Sequence, residues 1–319
     1  MKISATRAGH ALFGRRIAGD ALAGTLALFC LANSLLMVNF QVSRLFLLDE
    51  AGYGDSYILY DALHFKATGV IYRDLSQPPY LPAQYSPLLY MLYSFPGQIG
   101  TFPNPLVGPR LIALAAFLSC VAVVISIVRT PVPARYAWLW GLLLATSTIS
   151  MREWVFQLRG DFPGIFFSLL ALRLLLARCH NATLLAGLSA GFAMQFKITF
   201  VSALTAGFLW LLFRKWWKEL AIFTTAGTLT FAGPYLFFWA QEPRMLSQIF
   251  ALSPGIQDVR GCINLIYRAV KEPVVPLALA ALPLVVSFPW PRWILLLLFA
   301  SLSFLFSRRS GRRQHQLFF

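Results

Sequence analysis

Asp49 and Glu50 are adjacent carboxylates in a chain with only 12 acidic residues among 319, so their position carries information. They come shortly after residues 21–43, a stretch without a single charge. At 1.5 Å of rise per residue that stretch covers about 35 Å, enough to cross a hydrocarbon core of roughly 30 Å. The pair therefore falls at a membrane surface, where it escapes the cost of a few kcal/mol that burial in lipid would impose. A carboxylate such as Asp49 can accept the proton of an attacking hydroxyl, a contribution of about 10² to 10⁴-fold when well placed. Arg159 and Lys197 could do the complementary work, neutralising a departing phosphate through charge-assisted hydrogen bonds. In Arg159-Gly160-Asp161 opposite charges flank a glycine, which lets the backbone approach a ligand. Lys197 interrupts an apolar run, a placement that snorkelling alone does not explain. Tyr85 and Tyr90 fit either an interfacial aromatic belt or the lining of a sugar site. Plainer roles compete: Asp49 capping a following helix, and Asp161 capping a span with Arg159 as its ion-pair partner.

Composition decides what kind of scaffold must position these groups. With 58% hydrophobic and 15% aromatic residues, the chain reads as an all-α, polytopic integral membrane protein, its mean hydropathy being positive. The formal charge of +15 would suggest nucleic acid in a soluble protein. Here it flanks the spans on the cytoplasmic side, and no nucleic-acid partner is expected. Lys2, Arg7, Arg15 and Arg16 precede an apolar run too long for a secretory signal, which predicts a retained anchor. The four cysteines are scattered, with neither a disulfide framework nor metal-ligand spacing. Acidic pairs do bind divalent cations, but no ligand set can be named and no other cofactor is implied.

Uncharged or nearly uncharged stretches run through 21–43, 111–128, 136–151, 162–177, 182–196, 198–213, 220–241, 273–291 and 293–307. The basic N-terminal tail, Arg129 with Arg135, Arg178, and the run from Arg214 to Lys218 all belong inside. That orientation requires 87–100 to lie along the outer surface rather than cross. It also requires 182–213 to fold back as two short helices near Lys197. The predicted organisation is one membrane domain: a cytoplasmic tail (1–20), a main module (21–241), an outer loop (242–272), one or two further spans (273–307) and a basic tail (308–319). Of the acidic residues only Asp20 and Glu219 then lie inside. Acidic side chains hardly influence insertion, so their crowding outside calls for another cause, either a polar reaction site or hydrated loops. Gly187 and Gly191 have the small-xxx-small spacing that lets helices pack closely.

Several landmarks occur in a telling order: Asp49-Glu50 after the first span, Gly69-Val70-Ile71-Tyr72, then Tyr85-Ser86-Pro87-Leu88-Leu89-Tyr90. Arg110-Leu111, Arg159-Gly160-Asp161 and the segment from Gly187 to Lys197 follow. This train resembles the C-type (GT-C) integral membrane glycosyltransferases, in particular the branch of protein O-mannosyltransferases and lipopolysaccharide-sugar transferases, over about residues 20–240. The resemblance implies a seven-span module of the inner (plasma) membrane with a large first outer loop bearing a membrane-parallel helix. It also implies a polyprenyl-phosphate-linked sugar donor, a lipid or glycan hydroxyl acceptor and an inverting transfer. Asp49 would be the base, Glu50 and Asp161 would shape the site, Arg159 and Lys197 would hold phosphate, and Tyr85 and Tyr90 would line the sugar. Members of that family usually continue further, and by parity the basic tail 308–319 emerges outside, so either 273–307 does not cross twice or the form is C-terminally short. The rival readings are a lipid-linked sugar transporter or flippase, which should show mid-membrane ionisable groups and paired repeats, and an inactive scaffold of the same fold.

Overall fold

A computed structural model describes residues 25–47 in part, 54–95 except 77 and 79, 104–130, 137–138, 155, 157–177 and 181–251. Asp49 and Glu50, and the predicted spans 273–291 and 293–307, lie outside the described residues, as does all of 136–151 but its helical residues 137 and 138. Every regular element among the described residues is helical.

The segment expected to form the first outer loop is more structured than its composition suggests. Helix α1 (Asp55–Thr68) was not expected. It starts after Gly54 and stops at Gly69, both left-handed, at φ 96° and 75°. The Gly69 N–H returns to the Phe65 carbonyl at 2.7 Å, a glycine C-cap. Asp55 in the first turn and Lys66 in the last complement the helix dipole. Helix α2 (Pro87–Ser94) begins with proline, whose fixed φ suits a first helical position. Its 8 residues reach about 12 Å, far short of a bilayer core. It is shorter than the 87–100 surface helix expected from sequence, ending at Ser94.

Among the described residues two helices are long and apolar enough to cross a membrane: α3 (Val107–Val128) and a later 25-residue helix, α7 (Trp217–Gln241). Helix α3 starts ahead of Arg110, so that arginine lies within its first turn rather than at its threshold. Between the two long helices come α4 (Asp161–Ala177), α5 (Ala182–Phe196), a single 3₁₀ turn (Ile198–Phe200) and α6 (Val201–Phe213). Lys197 is extended, at φ −159° and ψ 123°, and breaks the apolar run into two short helices at the residue where charge required a fold-back. Helix α8 (Met245–Ala251) follows α7.

Helix α5 is the central strut, packed on α4 and on α7. Its glycines make this possible. A Cβ on Gly187 would collide with the Phe223 carbonyl of α7, and one on Gly191 would lie 2.5 Å from the Gly227 carbonyl. The small-xxx-small pair thus lets two backbones touch, as its spacing predicted. Leu172, Leu175, Ala190, Ala206, Trp210 and Phe223 form the interior of this bundle. A separate apolar cluster lies at the other end, where Ile71, Tyr72, Leu89, Tyr90 and Tyr93 pack on Leu158, Phe196, Tyr235, Phe238 and Met245. It welds the first outer segment to the ends of α5 and α7.

Candidate functional site

The site is assembled where three segments read from sequence as outer loops meet on this second cluster. Asp161 occupies the first turn of α4, and Lys197 sits at the bend after α5. Lys197 Nζ donates to Asp161 Oδ1 at 2.9 Å. The partner of Asp161 in this ion pair is therefore Lys197, 36 residues away, rather than the neighbouring Arg159. Gly160 permits the approach: a Cβ there would lie 2.6 Å from the Phe196 carbonyl, pushing α4 away from the Lys197 bend. Burial alone would lower the Lys197 pKa, but the charge of Asp161, with Tyr85 and the hydrogen bond to Asp161, outweighs it, and the pKa rises. Lys197 stays an ammonium with donors to spare, because only one of its three is used on Asp161.

Tyr85 stands within the field of this pair. Burial raises its phenol pKa, Lys197 and Arg159 oppose the rise, and Asp161 and Asp55 add to it. The Tyr85 backbone is fixed at both ends, since its carbonyl accepts from Tyr72 Oη at 2.8 Å and its N–H donates to Tyr90 Oη at 3.2 Å. Among the described residues no hydrogen bond engages the Tyr85 hydroxyl. Tyr90, by contrast, is 1% exposed and spends its hydroxyl on holding Tyr85. Its pKa is pushed well up, chiefly by burial. Tyr93 Oη donates to the Arg159 carbonyl at 3.0 Å, tying α2 to the segment ahead of α4. Arg159 is half-buried beside the pair and senses both Tyr85 and Lys197.

Several of the acids expected outside are not the hydrated loop residues that sequence favoured. Asp55 is wholly buried and accepts the Leu158 N–H at 2.9 Å, joining α1 to the Arg159 segment. Asp61 is held by Arg73 at 2.5 Å, and burial outweighs that guanidinium to push its pKa up to about 6. Glu242, just past α7, accepts the N–H groups of Ile71 and Tyr72 on one oxygen, at 3.0 and 2.5 Å. Gln248 of α8 accepts from Ala83 N–H at 3.0 Å and donates to the Arg73 carbonyl. Among the ion pairs of the described residues, only Asp74–Arg244, at 2.8 Å, is exposed. Sequence reading missed these straps because their partners lie up to 175 residues apart. The signal available was the excess of acids on one side.

Among the described residues no group of three or more His, Cys, Asp or Glu side chains is arranged to hold a metal ion. The acidic pair Asp49-Glu50 stands outside those residues; the first helical segment delivers the chain to it at Leu47.

No protein-family model matches the chain, and no curated protein matches it in sequence. Among solved structures it is similar to ArnT from Cupriavidus metallidurans bound to undecaprenyl phosphate, with a TM-score of 0.56 at 14% identity. The likeness covers 86% of this chain and 59% of that one, so the chain spans under two thirds of that protein's length. At this identity what is shared is architecture, which among the described residues is all-helical, the class that the composition implied.

Proposed function

We propose that this chain is a glycosyltransferase of the inner (plasma) membrane that moves a sugar from a polyprenyl-phosphate carrier to a hydroxyl of a lipid or polysaccharide on the extracytoplasmic side. The observation that carries the reading is the meeting of Lys197, Asp161, Arg159 and Tyr85 where three outer segments converge on this fold. The solved neighbour binds a carrier phosphate of the proposed class.

In the proposed reaction the acceptor oxygen attacks the anomeric carbon from the face opposite the carrier, giving inversion. Asp49 takes the hydroxyl proton, and the bond from the anomeric carbon to the phosphate oxygen breaks with its electron pair leaving on the carrier phosphate. The ammonium of Lys197 and the guanidinium of Arg159 balance that growing charge, an effect strongest where water is excluded. Asp161 holds Lys197 in place, Glu50 shapes the acceptor side with it, and the Tyr85 hydroxyl, steadied by Tyr90, meets the sugar or its phosphate. The branch with protein O-mannosyltransferases and lipopolysaccharide-sugar transferases supplies the model for donor and acceptor.

The test supplies radiolabelled polyprenyl-phosphate sugars to membranes containing the full chain, with and without chelator, and follows label into lipid and polysaccharide. Transfer should occur and should vanish in Asp49→Asn with membrane insertion unchanged. Label that crosses the bilayer still attached to its carrier would replace this reading with a flippase.

A further inference from the structure

We infer that Gln195 is a positioning residue that locks the Lys197 bend against α7, by donating to the carbonyl that Pro234 leaves unpaired inside that helix. This deepens the function proposed above and rests on it.

Pro234 lies inside α7. Having no N–H, it cannot bond the carbonyl four residues earlier, that of Thr230. Gln195, in the last turn of α5 and 0% exposed, supplies the donor instead. Its Nε2 donates to the Thr230 carbonyl at 3.0 Å and to the Phe231 carbonyl at 2.6 Å. Carbonyls only accept, so the atom facing them must be the amide nitrogen, and both of its hydrogens are spent on α7. The neighbouring residue of α5 is tied to the far side of the proline. Ser86 Oγ donates to the Met194 carbonyl at 3.3 Å and accepts from the hydroxyl of Tyr235, which follows Pro234.

Proline is tolerated inside a spanning helix where another group satisfies the freed carbonyl. A hydroxyl on α7 itself could do so, as that of Thr230 does for the Ala226 carbonyl. Here the donor comes from α5, so the bond joins two elements. The Gln195 Oε1 is buried and finds no hydrogen-bond partner among the described residues. A buried acceptor left unmade is unfavourable, and a methionine would fill the same space without it. The two bonds to α7, rather than packing, therefore account for a glutamine here. Two residues on, α5 has ended and Lys197 is extended. At about 3.8 Å per step, the Lys197 Cα lies within about 8 Å of that of Gln195. Lys197 meets Asp161, and Tyr85 directly precedes Ser86. Lys197 and Tyr85 thus leave one polar knot around Pro234, and α7 fixes the separation between them. With both hydrogens committed to α7, Gln195 has none to offer a ligand; it acts through Lys197.

Two substitutions in the full chain separate satisfying the carbonyl from placing the bend. Gln195→Met removes the donor at similar volume, and Pro234→Ala restores the missing N–H within α7. Gln195→Met should lower the thermal midpoint in detergent, and adding Pro234→Ala should recover much of that drop, because the Thr230 carbonyl regains a partner. Activity should part from stability. Gln195→Met should lower kcat about 10²-fold, the cost of misplacing a group by about 1 Å, with the KM for the lipid-phosphate sugar changed less than about 3-fold. Adding Pro234→Ala should leave that loss in place, since α5 stays untied. Recovery of kcat together with stability overturns the inference, as does an equal loss of donor affinity and kcat. A readout without transfer replaces the native cysteines by alanine and places spin labels at Thr199→Cys, half-buried just past the bend, and at the exposed Leu236→Cys of α7. The distance distribution should be narrow with Gln195 present, broad in Gln195→Met with or without Pro234→Ala, and intermediate in Gln195→Asn, whose amide reaches less far. A distribution that Gln195→Met leaves unchanged overturns the inference. If that variant does not fold, Gln195→Asn decides by the same measure. A wild-type chain that transfers no sugar while the distances behave as stated marks a failed glycosyltransferase reading, told apart in this way from a failed clamp.

Discussion

Lys197 and Asp161 form a 2.9 Å ion pair that fastens the bend between α5 and α6 to the first turn of α4. Both side chains are largely shielded, at 21% and 16% exposure, so the pair is more than a surface contact. Removing either partner strands the other. A double-mutant cycle on Lys197→Ala and Asp161→Ala should return a coupling of about 1 to 3 kcal/mol, read from thermal unfolding in detergent. Asp161→Asn should also weaken use of the lipid phosphate donor, because Lys197 loses the group that aims it. Additive single effects would show that the two side chains act apart.

Asp61 supplies a pH signature. Burial raises its pKa to about 6 in the folded protein, from an ordinary value of 3.8. The folded state then binds the proton more tightly than the unfolded one. Its contribution to stability is fully present below pH 3.8 and is lost as pH rises through about 6. The difference amounts to about 3 kcal/mol. Asp61→Asn should remove this pH dependence, so hydrogen-exchange protection of α1, compared with wild type between pH 4 and 7, should converge at the acidic end and exceed wild type at pH 7.

Gly191 and Gly233 test the packing of α5 on α7 against a matched control. A Cβ on Gly191 would lie 2.5 Å from the Gly227 carbonyl and 2.7 Å from Thr230 Cβ, whereas one on Gly233 meets nothing within 4 Å. Gly191→Ala should cost about 1 to 3 kcal/mol by overpacking. Gly233→Ala should stay within about 0.5 kcal/mol of wild type. Thermal unfolding in detergent distinguishes them.

Glu242 closes the outer cap by accepting two successive N–H groups, those of Ile71 and Tyr72. Charge-assisted bonds of this kind are about twice as strong as neutral ones. Limited proteolysis between Gly69 and Ala83 should accelerate markedly in Glu242→Ala and only modestly in Glu242→Gln, which keeps an acceptor oxygen. Equal cleavage in all three proteins would show that α8 alone secures the loop.

Much of the helical frame was legible because lipid imposes a simple rule on composition. The predicted stretches 162–177 and 182–196 match α4 and α5 almost to the residue, and the break at Lys197 followed from charge at both ends of the run. Helix α1 was not legible, since its sequence mixes Asp55, Asp61, His64 and Lys66 with apolar residues and has no clear apolar face. Of the candidate site, the types of Asp161, Arg159, Lys197 and Tyr85 could be chosen from sequence. Their pairing could not: adjacency favoured Arg159 for Asp161, and only the close approach at Gly160 brings Lys197 there instead. Nor was it legible that the Tyr90 hydroxyl accepts the Tyr85 N–H, from a partner five residues earlier.

The straps of the outer cap share a habit: Glu242 takes peptide N–H groups, Arg110 and Tyr93 take carbonyls, and Gln248 takes one of each. Main-chain atoms are the same at every position, so a fastener that grips them is indifferent to which amino acid it holds. Exposed side chains of the 69–83 loop that make no such contact, Val70 and Leu81 among them, can therefore be exchanged without loosening the cap, while the architecture beneath it stands still.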